Sequence, residues 1–152
     1  MQLIEDKLIM SPAPLDRHQV VVDEIYPELS IFVKKHKMGT TRVAPYDVFF
    51  DDKNVFQPDI CFIGNENIAN IQENGLHGAP NLVIEILSPN TWKYDTMVKK
   101  KIYEKFGVEE LWLIDPVDKT AKGYRLEEGV YQLFFAEKGQ LESKLLGFKV
   151  VF

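Results

Sequence analysis

The chain has 152 residues, 45% hydrophobic and 27% charged, with a formal net charge of −5 and a pI near 5.2. That length suits one domain, residues 1–152, around one core. The acidic balance argues against coating nucleic acid by bulk electrostatics. No apolar run nears the roughly 20 residues of a membrane span, and the one cysteine, Cys61, excludes an internal disulfide or a thiolate zinc cage. The N-terminus lacks a basic-then-apolar leader, so a cytoplasmic location is expected.

"LIEDKLIMSP" reads as a short strand ending at Pro12. From 16 to 37, Val21, Val22, Ile25, Leu29, Phe32 and Val33 recur at helical spacing, and Gly39 follows as the stop. Pro27 should kink or split that helix. "TRVAPYDVFF" and "VFQPDICFI" flank the turn-forming "DDKN", which predicts a hairpin. Residues 64–80 read as a polar loop. "NLVIEILS" is apolar on both faces, as a central strand of a covered sheet would be. A helix over 94–106 stops at Gly107, and "ELWLIDP" is a second buried strand, so the three form a βαβ unit. From Lys119 on, short strands alternate with turns at "EEG", "EKGQ" and "LGF".

Glu85 stands in the middle of the apolar run, where an unpaired carboxylate would cost several kcal/mol, roughly, so it needs a partner or a metal. Period-2 alternation puts Asp59 on one face with Gln57 and Cys61, and Glu85 with Val83 and Leu87. If the two strands are neighbours, Asp59 and Glu85 converge. Close carboxylates repel unless a proton or cation separates them, so neutralising Glu85 should relieve that repulsion. Hard oxygen donors of this kind suit Mg²⁺. On the helix, Lys99 shares a stripe with Asp95, Ile102, Tyr103 and Phe106, whereas Lys101 points away. A lysine in that place would polarise a metal-bound water or stabilise developing charge.

The order Pro58-Asp59, "VIEILSP", then Asp95, Lys99, Tyr103, "GV", "LW" and "DP", resembles the Uma-type family of restriction endonucleases within the PD-(D/E)XK nuclease superfamily. The resemblance runs from "LIEDKLIMSP" and His18 through "LWLIDP" and is most specific in "APNLVIEILSPNT". It implies an α/β restriction-endonuclease-like fold, a mixed central sheet flanked by helices. It also implies Mg²⁺ held by Asp59, Glu85 and the Ile86 carbonyl, with Lys99 completing the site. Two positions differ from the pattern: Leu87 stands where the wider superfamily has its lysine, and Gln2 stands where family members show a Glu.

Blander readings compete. Glu85 could form a structural ion pair with Lys99 or Arg42, Asp59 could be a strand-edge residue, and Lys99 a solvated lysine. His18 is either a first-turn polar residue or a phosphate contact. Glu24 is either an extra acid at the site or part of a solvated face. Asp95 reads as a helix N-cap, Tyr103 as core with its hydroxyl near the site, Trp92 and Trp112 as packing, and Cys61 as an inert thiol. The expectation is Mg²⁺-dependent hydrolysis of phosphodiester bonds in DNA, with Mn²⁺ a possible substitute and a homodimer to cut both strands. The alternative is an inactive nuclease-fold module for nucleic-acid or protein interaction.

Overall fold

The computed structural model describes residues 1–10, 12–89 and 94–152. Its elements are β1 (Gln2–Ile4), β2 (Lys7–Ile9), α1 (Asp16–Lys35), β3 (Gly39–Val43), β4 (Val48–Asp51), β5 (Asn54–Phe56) and β6 (Ile60–Gly64). There follow β7 (Ile71–Gln72), β8 (Gly75–His77), β9 (Leu82–Ile86), α2 (Lys100–Phe106), β10 (Glu110–Ile114), β11 (Thr120–Glu127), β12 (Val130–Lys138), β13 (Gln140–Glu142) and β14 (Lys149–Val151). None of the described helices is long and apolar enough to cross a membrane.

The central sheet has the order β12-β11-β10-β9-β6-β3. β9 runs parallel to β10 and antiparallel to β6, and all five of its residues are buried. The apolar run "LVIEI" thus behaves as a strand covered on both faces must. Ile84 and Ile86 share one core with Val21, Ile25, Leu29 and Val33 of α1. Val83 faces the other way, in a core with Ile102 and Tyr103 of α2 and with Ile4, Val48, Phe56 and Leu76. Those last four belong to a second six-stranded sheet, β2-β1-β5-β4-β8-β7. The expected mixed sheet flanked by helices is therefore present, but a second sheet shares one face with α2.

Several local expectations need correction. The stretch read as one strand is a hairpin, β1 with β2, because Glu5 and Asp6 take φ of 47° and 64° and reverse the chain without glycine. Helix α1 continues through Pro27, which lies on the exposed side, so water can serve the carbonyl that loses its intrahelical bond. Gly39 is not the stop of α1 but the first residue of β3. Lys37 takes the left-handed position (φ 53°), and Lys37 and Met38 donate N–H groups to the Lys34 and Val33 carbonyls. The hairpin around "DDKN" forms as β4 and β5, but each flank then crosses over. β3 and β6 pair with each other in the central sheet instead. The polar loop contains a 3₁₀ turn, Asn65–Asn70, and the short pair β7 and β8.

Candidate active site

Glu85 sits in mid-β9, on the face that looks at α2. The helical segment reaching it begins as a π-helical stretch, Tyr94–Lys99, and continues directly into α2. Lys99 and Tyr103 are four residues apart and so lie together on one side. Lys99 Nζ donates to Glu85 Oε1 at 3.0 Å, and the Tyr103 hydroxyl donates to the same oxygen at 2.5 Å. Glu85 is 2% exposed and Lys99 4%. The Lys99 ammonium lies 5.6 Å from the centroid of the Phe56 ring, which also packs edge-on against Tyr103. Two buried charges in such surroundings are tolerated only because they pair and are hydrogen-bonded. The ion pair named as the bland reading of Glu85 therefore exists with Lys99. Arg42 bonds Thr40 Oγ1 and the Thr41 carbonyl instead. Lys99 is not a solvated lysine, and Lys101 is exposed, as the helical phase requires.

Asp59 follows the buried Pro58 and immediately precedes β6, whose Ile60 is in register with Ile84. Its Oδ2 accepts the Ile86 N–H at 2.7 Å, and its Oδ1 lies 3.1 Å from His18 Nε2. His18 comes from the first turn of α1, on the opposite face of the sheet from α2. Asp59 is thus held at the end of the sheet, between α1 and the residue after Glu85. Asp59, Glu85, Ile86, His18 and Lys99 all line one cavity of about 520 Å³.

The other sequence candidates separate. Glu24 is not brought to this cavity: it lies on the exposed side of α1 and pairs with Lys119 at 3.6 Å. The Asp95 backbone falls inside the π-helical stretch, and its side chain, with the N-cap reading, lies outside what the structure describes. Trp92 also lies outside the described residues. Trp112 is fully buried and donates its Nε1–H to Glu110 Oε1 at 2.7 Å, a packing role. Cys61 is buried, and loss of hydration pushes its thiol up to about 12.

Sequence reasoning missed Gln57 as a lining residue. Its N–H donates to Gln2 Oε1 at 3.0 Å, its Nε2 donates to Asp47 Oδ1 at 2.8 Å, and both glutamines line the cavity. The sequence reading had set Gln57 on one strand face with Asp59, but residues 57–59 join β5 to β6 and belong to neither strand. The hairpin wall from β1 and β2 had no signal, since that stretch read as a single strand.

Among the described residues no group of three or more His, Cys, Asp or Glu side chains is gathered at metal-binding separation. A hard divalent cation needs fewer: it typically takes one or two carboxylates and completes its shell with water, carbonyl or phosphate oxygens. The Asp59 and Glu85 carboxylates are donors of that kind, and both residues line one cavity together with Ile86, so the chemistry of the set fits such an ion.

A mixed sheet whose central strand carries a glutamate, with an aspartate entering the adjacent strand and a lysine on the following helix, is the α/β arrangement of a restriction-endonuclease-like fold. A solved structure described as a "putative nuclease" of DUF820, from Anabaena variabilis, is similar to this chain with a TM-score of 0.73 and 27% identity. The similarity covers 88% of this chain and 75% of that one. The chain belongs to the Uma2 family, described as "Putative restriction endonuclease", whose model matches residues 1–150. The resemblance read from the motifs is thereby borne out. No match was found among curated proteins.

Proposed function

We propose that the protein is a Mg²⁺-dependent endonuclease that hydrolyses phosphodiester bonds in DNA. The observation that carries this reading is the buried Lys99–Glu85 pair, braced by Tyr103, whose two members line the same cavity as Asp59. Family membership and the similar nuclease structure support it.

In this reading Asp59, Glu85 and the Ile86 carbonyl hold the cation, which when bound supplies charge neutralisation at the scissile phosphate and a more acidic water. The chain's own groups do the rest. His18 and the Ile86 N–H fix the two oxygens of Asp59, so its carboxylate is set before substrate arrives. Tyr103 holds Glu85 Oε1 and prevents the side chain from turning away. Lys99 is the preorganised cation that orients the attacking water and meets negative charge developing on the phosphoryl oxygens. Hydrolysis adds the water oxygen to phosphorus and breaks the bond to the leaving nucleoside oxygen, which departs with a proton.

The second reading, an inactive nuclease-fold binding module, is favoured by one feature: Glu85 is already matched by a lysine and a tyrosine, which gives it a complete structural explanation. The two lysines separate the readings. Lys99→Ala should lower Mg²⁺-dependent cleavage by about 10²–10³, and Lys101→Ala should leave it unchanged. Equal activity in the two variants would remove Lys99 from the chemistry.

A further inference from the structure

We propose that the outer face of the second sheet docks a short basic segment of a partner protein, one that lays an apolar side chain against Phe49, Val55 and His77 and sets a Lys or Arg against Asp51 and Asp52. The hollow on this face shares no lining residue with the catalytic cavity, so the proposal stands apart from the nuclease reading.

The first observation is register. Leu8 pairs with Leu3, Leu3 with Val55, Val55 with Phe49, and Phe49 with His77. Directly opposed residues point to the same side of a sheet, so the five form one row across β2, β1, β5, β4 and β8, about 19 Å long. Their chain neighbours Ile4, Val48, Phe56 and Leu76 point the other way and fill the core. Leu3, Leu8, Phe49 and Val55 stand outside both cores, and Leu8 is 62% exposed. A sheet with one buried face ordinarily carries polar side chains on the other. Here that row is apolar, and the Phe49 and His77 rings stack at 4.5 Å with 9° between their planes.

The second observation is charge. Phe49, Val55 and His77 line a hollow of about 520 Å³ together with Asp51 and Asp52, and its described lining holds no lysine or arginine. Lys53, at the same turn, is paired with Asp6 at 3.4 Å, and Lys105 acts on Asp51 without forming an ion pair. Among the described residues neither aspartate is in an ion pair. Exposed carboxylates beside an apolar floor complement an apolar residue next to a cation, and they repel a phosphate backbone.

The third observation is size. A stable interface between two folded chains typically takes about 20–30 residues a side. The row and the rim of the hollow fall well short of that, so a second folded copy is a poor fit. A short segment held by one or two anchors through an apolar groove is the kind of partner such a surface takes.

The test uses short fluorescein-labelled peptides of alternating leucine and arginine, leucine and glutamate, and serine and arginine, titrated with the full chain and read by anisotropy. The leucine–arginine peptide should bind about tenfold more tightly than either of the others. Phe49→Ser should weaken it about tenfold, and Val55→Thr, which keeps the β-branched shape, should weaken it less at an unchanged melting temperature. Asp51→Asn with Asp52→Asn should weaken it about threefold. Asp23→Asn with Glu28→Gln, which removes the same charge from the exposed side of α1, should leave it unchanged. No binding of the leucine–arginine peptide, or equal binding of the leucine–glutamate peptide, overturns the proposal. So does binding that survives both Phe49→Ser and Val55→Thr, or that falls equally in the two charge variants. Displacement of the peptide by DNA, or a doubled mass in light scattering that Phe49→Ser abolishes, would give the face to a different occupant and overturn it as well.

Discussion

Glu85 was the residue the sequence made hardest to explain, and its position alone required a partner. Helical phase singled out Lys99 among the clustered lysines, because a charged residue sharing a stripe with Ile102 must face the sheet, while Arg42 stayed open as the other candidate partner. Alternation along the strands let Asp59 and Glu85 converge on one side of a sheet, provided their strands were neighbours. The pairing of Asp59 with His18 was not legible, since nothing in the sequence tells which end of α1 lies over which strand. Nor was the consequence for Glu85. Two carboxylates in isolation would repel, but here each has its own partners, and Glu85 supplies a buried counter-charge to Lys99. Glu85→Gln should therefore lower stability in the absence of metal, by about 3 kcal/mol, because it removes one charge of a buried, hydrogen-bonded ion pair. Chemical denaturation of the two proteins in EDTA checks this, and a more stable variant would point to carboxylate repulsion. Cys61 yields a second prediction at this scale. Its thiol is raised from 9.0 to about 12 by burial, so the folded state keeps the proton that the unfolded state loses first. The stability this contributes is fully present below about pH 9 and is lost as pH rises towards 12. In native protein the thiol should resist a thiol reagent at pH 8 and react only on unfolding, which absorbance of the released chromophore would follow.

At the scale of elements, the long strongly patterned segments were legible: α1, β6, β9, the helix over 94–106 and β10. The errors fell on chain reversals that lack glycine signals, at Glu5-Asp6 and at Lys37, and on strands that switch sheets between residues 43 and 60. Sheet-switching is invisible to periodicity because each half still alternates correctly. Two buried contacts that join elements were also missed. Glu110 is fully buried, its Oε1 accepting the Trp112 indole N–H and its Oε2 the Leu145 N–H at 2.8 Å, which ties the segment before β14 to β10. Glu110→Leu would leave the buried Trp112 indole N–H and the partly buried Leu145 N–H without their acceptor. We expect a loss of about 2–4 kcal/mol, measured by urea titration, as each unsatisfied buried group costs about 1–3 kcal/mol. Across the β10–β11 ladder Gly123 stands opposite Trp112, and a methyl group there would lie 2.7 Å from the indole ring. Gly123→Ala should cost about 1–3 kcal/mol through overpacking, while Gly107→Ala, which meets no atom within 4 Å, should cost less and only through its φ of 82°.

The whole molecule is a central sheet with α1 and the β13–β14 pair on one face and, on the other, α2 and a second six-stranded sheet. One end of this arrangement gathers His18 from α1, Asp59 from the residue before β6, Glu85 from β9 and Lys99 from the helical segment. The second sheet escaped the sequence reading because its strands are two to four residues long, too short for alternation to register. Its N-terminal hairpin forms a wall of the cavity, so the same short strands that hid the second sheet hid the shape of the site. A ligand that binds only the native state adds stability by mass action, so Mg²⁺ or Mn²⁺ should raise the melting temperature of the wild type and not that of Glu85→Gln. The most direct measurement is cleavage itself. Labelled single-stranded, gapped and duplex DNA are incubated with wild-type protein and with Glu85→Gln, in Mg²⁺ and in EDTA. The account predicts cut products from the wild type in Mg²⁺ alone and none from Glu85→Gln; cleavage that survives EDTA or Glu85→Gln, or intact DNA in every wild-type reaction, would contradict it.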